Sequence, residues 1–417
     1  MPAAAAVPTS TGTTAAGSVR GRAPAIHGFM GQTLRARFAP VRHRRPSLDT
    51  MPNLVAIALT GQQFVDAMRR VWDDGDAVLP IDPRLPPVAV DALLATMRPA
   101  RVIGGDGESS ALPDPMPTEV GDALVVPTSG STGAPKGVVH THASIEASAR
   151  STSSALGVDP STDRWLCCLP LSHIAGLAVV VRALTFEVPL VVHDRFEAAA
   201  VMQAAAHGAT LTALVPTALA RIDASAFRRI IVGGSAAPAH LPDNCVMSYG
   251  MTETGSAVVF DGHPLPGVEL RILDEEIQVR GDMLLRCYRD GTDPRTSDGW
   301  LPTDDAGSMT DGVLSVRGRR GDLIITGGEN VWPAPIETIL ATLDSVAEVA
   351  VIGRPDPEWG QVVTAVVVPT DPADPPLLEE LREVVRTALP AFFAPRRLEV
   401  VSALPRTPLG KVERRSL

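Results

Sequence analysis

The chain has 417 residues, 45% of them hydrophobic and 20% charged, the composition of a folded protein of two to three domains. Its net charge of −10 argues against nucleic acid as the main partner, because phosphate contacts need a surplus of Arg and Lys. Four scattered cysteines without a CxxC pair argue against a disulfide scaffold or a structural zinc and suit a reducing cytoplasm, and the longest apolar run, residues 174–186, is cut by Arg182 and is too short to span a membrane.

Residues 1–50 hold seven arginines and one acid, a local charge of +6 that leaves −16 for the rest. Rich in Ala, Ser, Thr and Gly and without a recurring apolar face, this stretch reads as a disordered tail, either a transit peptide or translated sequence upstream of Met51. From 122 to about 250, short apolar runs alternate with amphipathic ones: ALVVPTS then THASIEASARSTSSAL, RWLCCLP then IAGLAVVVRALTF, PLVVHD then FEAAAVMQAAAH. That βαβ rhythm predicts a mainly parallel sheet flanked by helices, with ligands bound at the carboxyl ends of its strands. Residues 257–320 change to short β-rich pieces broken by Gly, Pro and Asp, a small antiparallel unit. From 333 onward, a helix, two strands, a helix and a last strand read as a compact α+β domain. The expected organisation is a tail over 1–50, a large N-terminal α/β domain over 51–320 that carries the β-rich unit, and a small mobile α+β domain over 321–417, joined near residues 318–321.

Of 37 basic residues, 35 are arginine, so the two lysines, Lys136 and Lys411, stand out as compact point charges kept where a planar guanidinium does not serve. Lys136 closes the loop at 127–137, PTSGSTGAPKG, which follows the run ALVV and precedes a helical pattern. Gly130, Gly133 and Gly137 free backbone N–H groups to face an anion, and Thr128, Ser129, Ser131 and Thr132 add hydroxyl donors. The order differs from a Walker loop, since Lys136 precedes Gly137 and no Ser or Thr follows.

This loop resembles the phosphate-binding signature of the adenylate-forming superfamily: acyl-CoA synthetases, adenylation domains of peptide synthetases and luciferases. Further segments match in the family's order: LPLSHIAG at 169–176, VGGSAAP at 232–238, YGMTETG at 249–255, GWLPTDDAG at 299–307, GRRGDLIITGGENVWPAPIE at 318–337 and PRTPLGKVERRSL at 405–417. The resemblance implies an enzyme that uses ATP, Mg2+ and coenzyme A. Tyr249 resembles the residue that stacks on adenine, with Gly250 beside it, Thr252 the hydroxyl that holds the α-phosphate, and Glu253 the magnesium ligand. Asp305 and Arg319 match the ribose contacts, although the family's glycine before the aspartate is Asp304 here. Gly233, Gly234 and Ser235 resemble the turn lining the adenine pocket, and His173 the gate between acyl pocket and thiol channel. Lys411 resembles the catalytic lysine that the small domain inserts beside substrate carboxylate and α-phosphate. Gly327 and Gly328 match the loop that guides the thiol after that domain rotates, and Gly321 stands at the hinge, where the family usually has Asp or Lys.

Only about 70 residues separate Met51 from the phosphate loop, and this shortening, with LPIDPRLP at 79–86, resembles the compact actinobacterial o-succinylbenzoate–CoA ligases of menaquinone synthesis. Other aromatic or medium-chain acids, a stand-alone adenylation enzyme and a nucleotide-binding pseudoenzyme remain open as alternatives. A homodimer is one expected assembly. No metal constellation is seen among the nine histidines.

Overall fold

The computed structural model describes residues 51–417 except 106, 130–134, 235–239 and 407–411. The tail expected over 1–50 lies outside the described residues.

The first sheet grows from β1 (Leu54–Ile57), β2 (Ala77–Pro80), β3 (Arg101–Ile103), β4 (Ser109–Ala111), β5 (Asp122–Ser129) and β6 (Pro135–Thr141), with α1 (Gly61–Asp73) and α2 (Pro87–Met97) between its early strands. LVAI of β1 and AVLP of β2 are buried throughout, as neighbouring parallel strands covered on both faces require. α1 turns Phe64, Val65, Met68, Val71 and Trp72 to this core, the spacing of one helical face.

α3 (His142–Leu156) leads to the second sheet, built from β7 (Trp165–Cys167), β8 (Leu190–Val192), β9 (Leu211–Leu214), β10 (Arg229–Val232), β11 (Cys245–Met251), β12 (Ser256–Phe260) and β13 (His263–Pro264). α4 (Ile174–Thr185), α5 (Ala198–Ala206) and the short α6 (Pro216–Leu219) connect its first strands. The strand order is β13-β12-β11-β10-β9-β7-β8, parallel from β11 to β8 and antiparallel at β12 and β13. α3 and α4 lie between the two sheets, so one apolar core runs from Val55, Phe64 and Val126 through Ile145 and Leu177 to Trp165 and Leu211. β14 (Glu269–Leu273), β15 (Glu276–Arg280), β17 (Leu301–Thr310) and β18 (Val313–Arg319) form a four-stranded antiparallel sheet, while β16 (Cys287–Tyr288) returns to the first sheet beside β6.

β19 (Ile324–Thr326), β20 (Glu329–Val331), α7 (Pro333–Leu340), β21 (Val346–Asp356), β22 (Gly360–Pro369), α8 (Leu378–Ala388) and β23 (Arg397–Val400) make a last sheet with its own core of Ile336, Leu340, Val363, Leu381 and Val385. The architecture is thus a large α/β part with mixed sheets followed by a smaller α+β part, as expected.

The phosphate loop does not lead directly from a strand into a helix, as its sequence context suggests: it joins two antiparallel strands, with Thr128 opposite Lys136 and Ser129 opposite Pro135. Val138 and Val139 are β-branched and apolar and are buried in the sheet together with His140, so the chain completes β6 before α3 begins at the Thr141–Ser144 capping box. Lys136 therefore rides on a rigid strand.

Candidate active site

β5 and β6 present Thr128 and Lys136 side by side, the threonine hydroxyl donating to the Lys136 carbonyl at 3.4 Å. Gly130, Ser131, Thr132 and Gly133, and the side chain of Ser129, lie outside the described residues. Gly137 is sterically required: a Cβ there would stand 2.6 Å from the Met97 sulfur and 2.8 Å from a Val125 methyl.

β11 runs directly into a single 3-10 turn, Thr252–Thr254, closed by Gly255 at φ +67°. Gly250 lets the two strands approach here, since a Cβ would fall 2.1 Å from the Ser256 carbonyl oxygen. The turn is held at three points. The Met251 N–H donates to the buried Thr254 hydroxyl oxygen at 3.0 Å, and the Leu285 N–H donates to the Glu253 carbonyl at 2.8 Å. His140, fully buried, donates from Nε2 to the Thr252 carbonyl at 2.7 Å, and its Nδ1 lies 3.0 Å from the Ser144 hydroxyl. Burial pushes the His140 imidazole down to about 4, so it is neutral, with Nε2 protonated and Nδ1 accepting from Ser144. Above the turn, the Tyr288 hydroxyl donates to Glu253 Oε1 at 3.1 Å, and the Lys136 ammonium lies 5.0 Å from the centroid of the same ring.

Tyr249 leads from this turn to the ribose residues. Its hydroxyl donates to Asp305 Oδ2 at 2.8 Å, and Arg319 Nε pairs with Asp305 Oδ1 at 3.0 Å across the β17–β18 register. Arg319 also donates to the Thr303 carbonyl at 2.7 Å. Burial pushes the Asp305 carboxyl up, against the pull of Arg319, and burial also raises the Tyr249 phenol, which stays protonated. Asp304 sits at φ +60°, which explains why a glycine suits this position. Gly233 and Gly234 end β10; a Cβ on Gly233 would meet the Ser248 hydroxyl oxygen at 2.3 Å, and Gly234 has φ +89°. Ser235 is outside the described residues.

On the acyl side, His173 is the residue before α4, and Gly176 allows the first turn of that helix to pack on the LPLS segment, a Cβ there being 2.4 Å from the Pro170 carbonyl oxygen. Two turns further on, Arg182 is only 1% exposed. Its Nη2 donates to the Ser256 hydroxyl oxygen at 2.9 Å, its guanidinium carbon lies 5.9 Å from the centroid of the Trp165 ring, and among the described residues its Nε has no hydrogen-bond partner. Among the described residues no carboxylate pairs with it, and burial pushes it down to about 10. A cavity of about 10 Å³ opens beside it, walled by Leu124, Ile145, Ala178 and Gly255.

Gly327 and Gly328 form the tight turn between β19 and β20, with φ +59° and +86°, and a Cβ on Gly327 would stand 2.7 Å from a carbon of the Trp359 ring. Lys411 is outside the described residues. The chain on either side of it is anchored, by a bridge between Arg406 and Val412 and by Arg414, which pairs with Glu337 at 2.7 Å and with Asp322 at 3.4 Å.

Residues 105–288 match the family model described as AMP-binding enzyme, and residues 335–411 match that of the AMP-binding enzyme C-terminal domain. A probable 2-succinylbenzoate–CoA ligase of Mycobacterium tuberculosis is 39% identical over 327 residues, covering 71% of this chain and 83% of that protein. The chain belongs to the AMP-binding enzyme family. An actinobacterial relative of this name agrees with the compact form that the motifs resemble. Two solved structures of the o-succinylbenzoate–CoA synthetase of Bacillus subtilis, each 28% identical, share the fold of this family member. The complex with ATP and magnesium ion has a TM-score of 0.78 over 88% of this chain and 90% of that one, and the complex with the acyl-adenylate intermediate has 0.77 over 87% of each.

Within this AMP-binding enzyme, three residues beside the site were not picked out from sequence. Arg182 was seen only as a break in an apolar run, yet a lone arginine inside such a run is itself a signal, since a buried cation needs a partner. Tyr288 could have been found by the count that singled out the lysines, because the chain has only two tyrosines and both meet acids of the site. His140 carried no such mark: its role depends on the fold bringing β6 against the turn at Thr252. Among the described residues no three His, Cys, Asp or Glu side chains cluster as a metal site, and no helix is long and apolar enough to cross a membrane.

Proposed function

We propose that this protein is an ATP- and magnesium-dependent ligase that joins o-succinylbenzoate to coenzyme A through an acyl adenylate, a step of menaquinone synthesis. The observation that carries the choice of acid is Arg182. A buried guanidinium without a carboxylate partner, in an apolar wall next to the nucleotide turn, is complementary to an anion that arrives with the substrate. A dicarboxylic acid supplies one: one carboxylate reacts and the other meets Arg182. An acid with a single carboxylate leaves that cation unpaired.

In the first step a carboxylate oxygen attacks the α-phosphorus of ATP and pyrophosphate leaves with the electrons of the broken P–O bond. In the second, the thiol sulfur attacks the acyl carbonyl carbon and AMP leaves. Lys136 and the hydroxyls of the phosphate loop hold the outgoing phosphates, Thr252 the α-phosphate, Tyr249 and Gly233-Gly234-Ser235 the adenine, and Asp305 with Arg319 the ribose. Glu253 suits magnesium, which takes one or two carboxylates and fills its shell with phosphate oxygens and water; one of its oxygens accepts from Tyr288 and the other is left for the metal. When bound, the ion neutralises charge on the phosphates. Lys411 places an ammonium between carboxylate and α-phosphate, where charge builds up, and loss of such a contact costs about two to three orders of magnitude in rate. His173 and the Gly327-Gly328 turn serve the thiol step, after the part from residue 321 onward rotates against 51–320 about Gly321. A cytoplasmic homodimer completes the proposal.

The test is pyrophosphate release from ATP by the full chain with o-succinylbenzoate, with and without coenzyme A, and mass detection of the thioester. A CoA-dependent thioester is the expected result; release with monocarboxylic aromatic acids but not with this one would discard the substrate. Lys411→Ala is expected to abolish adenylation and spare thioester formation from supplied acyl adenylate.

A further inference from the structure

The segment from Leu285 to Arg289 touches both charged groups proposed to face the ATP phosphates. Arg286 N–H donates to the Val139 carbonyl and Arg289 N–H to the Gly137 carbonyl, at 2.8 and 2.7 Å, so the segment runs along the strand that carries Lys136. At its start the Leu285 N–H holds the Glu253 carbonyl, and in its middle the Tyr288 hydroxyl holds the Glu253 carboxylate. Tyr288 is thereby placed between an ammonium and a carboxylate of opposite charge, its ring under Lys136 and its hydroxyl on Glu253.

Without a spacer, an exposed ammonium and a neighbouring carboxylate are free to pair with each other, and both are then lost to the substrate. An aromatic ring attracts the cation through its face, a phenol O–H attracts the carboxylate through its edge, and the two attractions act in opposite directions. We propose that Tyr288 is a positioning residue for adenylation, which keeps Lys136 and Glu253 apart and fixes one oxygen of Glu253 so that the other is aimed at the magnesium of Mg·ATP. This rests on the reading of Glu253 as the metal ligand. Partners that orient a metal-ligating carboxylate typically contribute 10–100-fold to metal affinity or activity.

Tyr288→Phe keeps the ring and removes only the hydroxyl. In calorimetric titrations of the full chain with ATP, in EDTA and across a magnesium series, the variant is expected to bind ATP as the wild type does in EDTA. It should need about tenfold more magnesium to reach the tighter state. Tyr288→Leu, which removes the ring as well, should also weaken binding in EDTA, because Lys136 loses its platform. In a Glu253→Gln background the Tyr288→Phe change should have no further effect on the magnesium requirement. Overturning results are an unchanged magnesium requirement in Tyr288→Phe, equal weakening with and without magnesium, or additive effects of the two substitutions. If Glu253→Gln itself leaves the magnesium requirement unchanged, the metal-ligand reading fails; if only the tyrosine variant is inert, that reading stands and the positioning role is lost. Melting temperatures of the four variants, the double variant included, separate these results from misfolding.

Discussion

Asp304 occupies a left-handed backbone conformation, φ +60°, and its N–H is tied to Glu276 at 2.9 Å, so the position is fixed by the sheet and the side chain must accept it. A residue with a Cβ loses about 1–2 kcal/mol in that region, less for Asp than for most, and glycine loses nothing but is freer when unfolded. Asp304→Gly should therefore raise stability by about 0.5–1 kcal/mol in denaturant titration. The negative charge of Asp304 also helps to raise the Asp305 carboxyl, so its removal should tighten ATP binding by no more than about fivefold. Arg182 presents the opposite trade. A guanidinium pushed down to about 10 by burial is still protonated at neutral pH in both folded and unfolded chains, so its full desolvation penalty weighs on the free enzyme. Arg182→Met, of similar length, should stabilise the free protein by about 1–3 kcal/mol. It should also raise KM for o-succinylbenzoate by about 100-fold, the worth of a charge-assisted contact. Thermal melts with and without the acid check both, since ligand stabilisation should be large in the wild type and nearly absent in the variant.

β6 links these residues into one unit: it carries Lys136 near its start, buries His140 near its end and hands the chain to the cap of α3. His140 has a folded-state value of about 4 against 6.5 for the free side chain, so between those values the unfolded chain binds a proton that the folded one refuses. Stability that is complete above about pH 6.5 is then lost as the pH falls toward 4, by about 2 kcal/mol between pH 7 and 5. His140→Gln, which preserves a donor for the Thr252 carbonyl, should be less stable at pH 7 but lose less between pH 7 and 5; equal pH slopes in urea titrations would remove His140 from the account. The same strand shows where sequence reading reached its limit. Its apolar run is short and lies between a glycine-rich loop and a helical pattern, so the loop reads as leading straight into the helix; periodicity marks element type but does not resolve so short a strand or its direction. Tyr249, Asp305 and Arg319 were legible because each sits in a short motif whose residues are adjacent in sequence. Tyr288, Arg182 and His140 were not, since their partners lie 35, 74 and 112 residues away and only the folded sheets bring them together.

Between β18 and the last sheet the chain makes a short 3-10 turn, Arg320–Asp322, with Gly321 in its middle, and this is where the proposed rotation has its joint. Gly321 is not demanded by the geometry there: among the described residues, its chain neighbours aside, no atom lies within 4 Å of where a Cβ would be, and its φ is outside the range that disfavours side chains. Arg320 reaches back to Glu276 at 3.4 Å and Asp322 reaches forward to Arg414, so each neighbour of the glycine is tied to a different part. In the proposed reaction, a glycine that the observed arrangement does not require, placed between two anchored neighbours, supplies backbone freedom for a second arrangement. Gly321→Ala should then leave the fold intact or stabilise it by about 0.4–1 kcal/mol, through the unfolded chain. It should leave pyrophosphate release in the absence of coenzyme A within about twofold and slow thioester formation more, because in the proposed scheme only the second half-reaction uses the rotated arrangement. Single-turnover measurement of both half-reactions decides it. Equal slowing of the two would place the effect in the site and not in the joint, and slowing of neither would show that rotation passes through backbone other than residue 321.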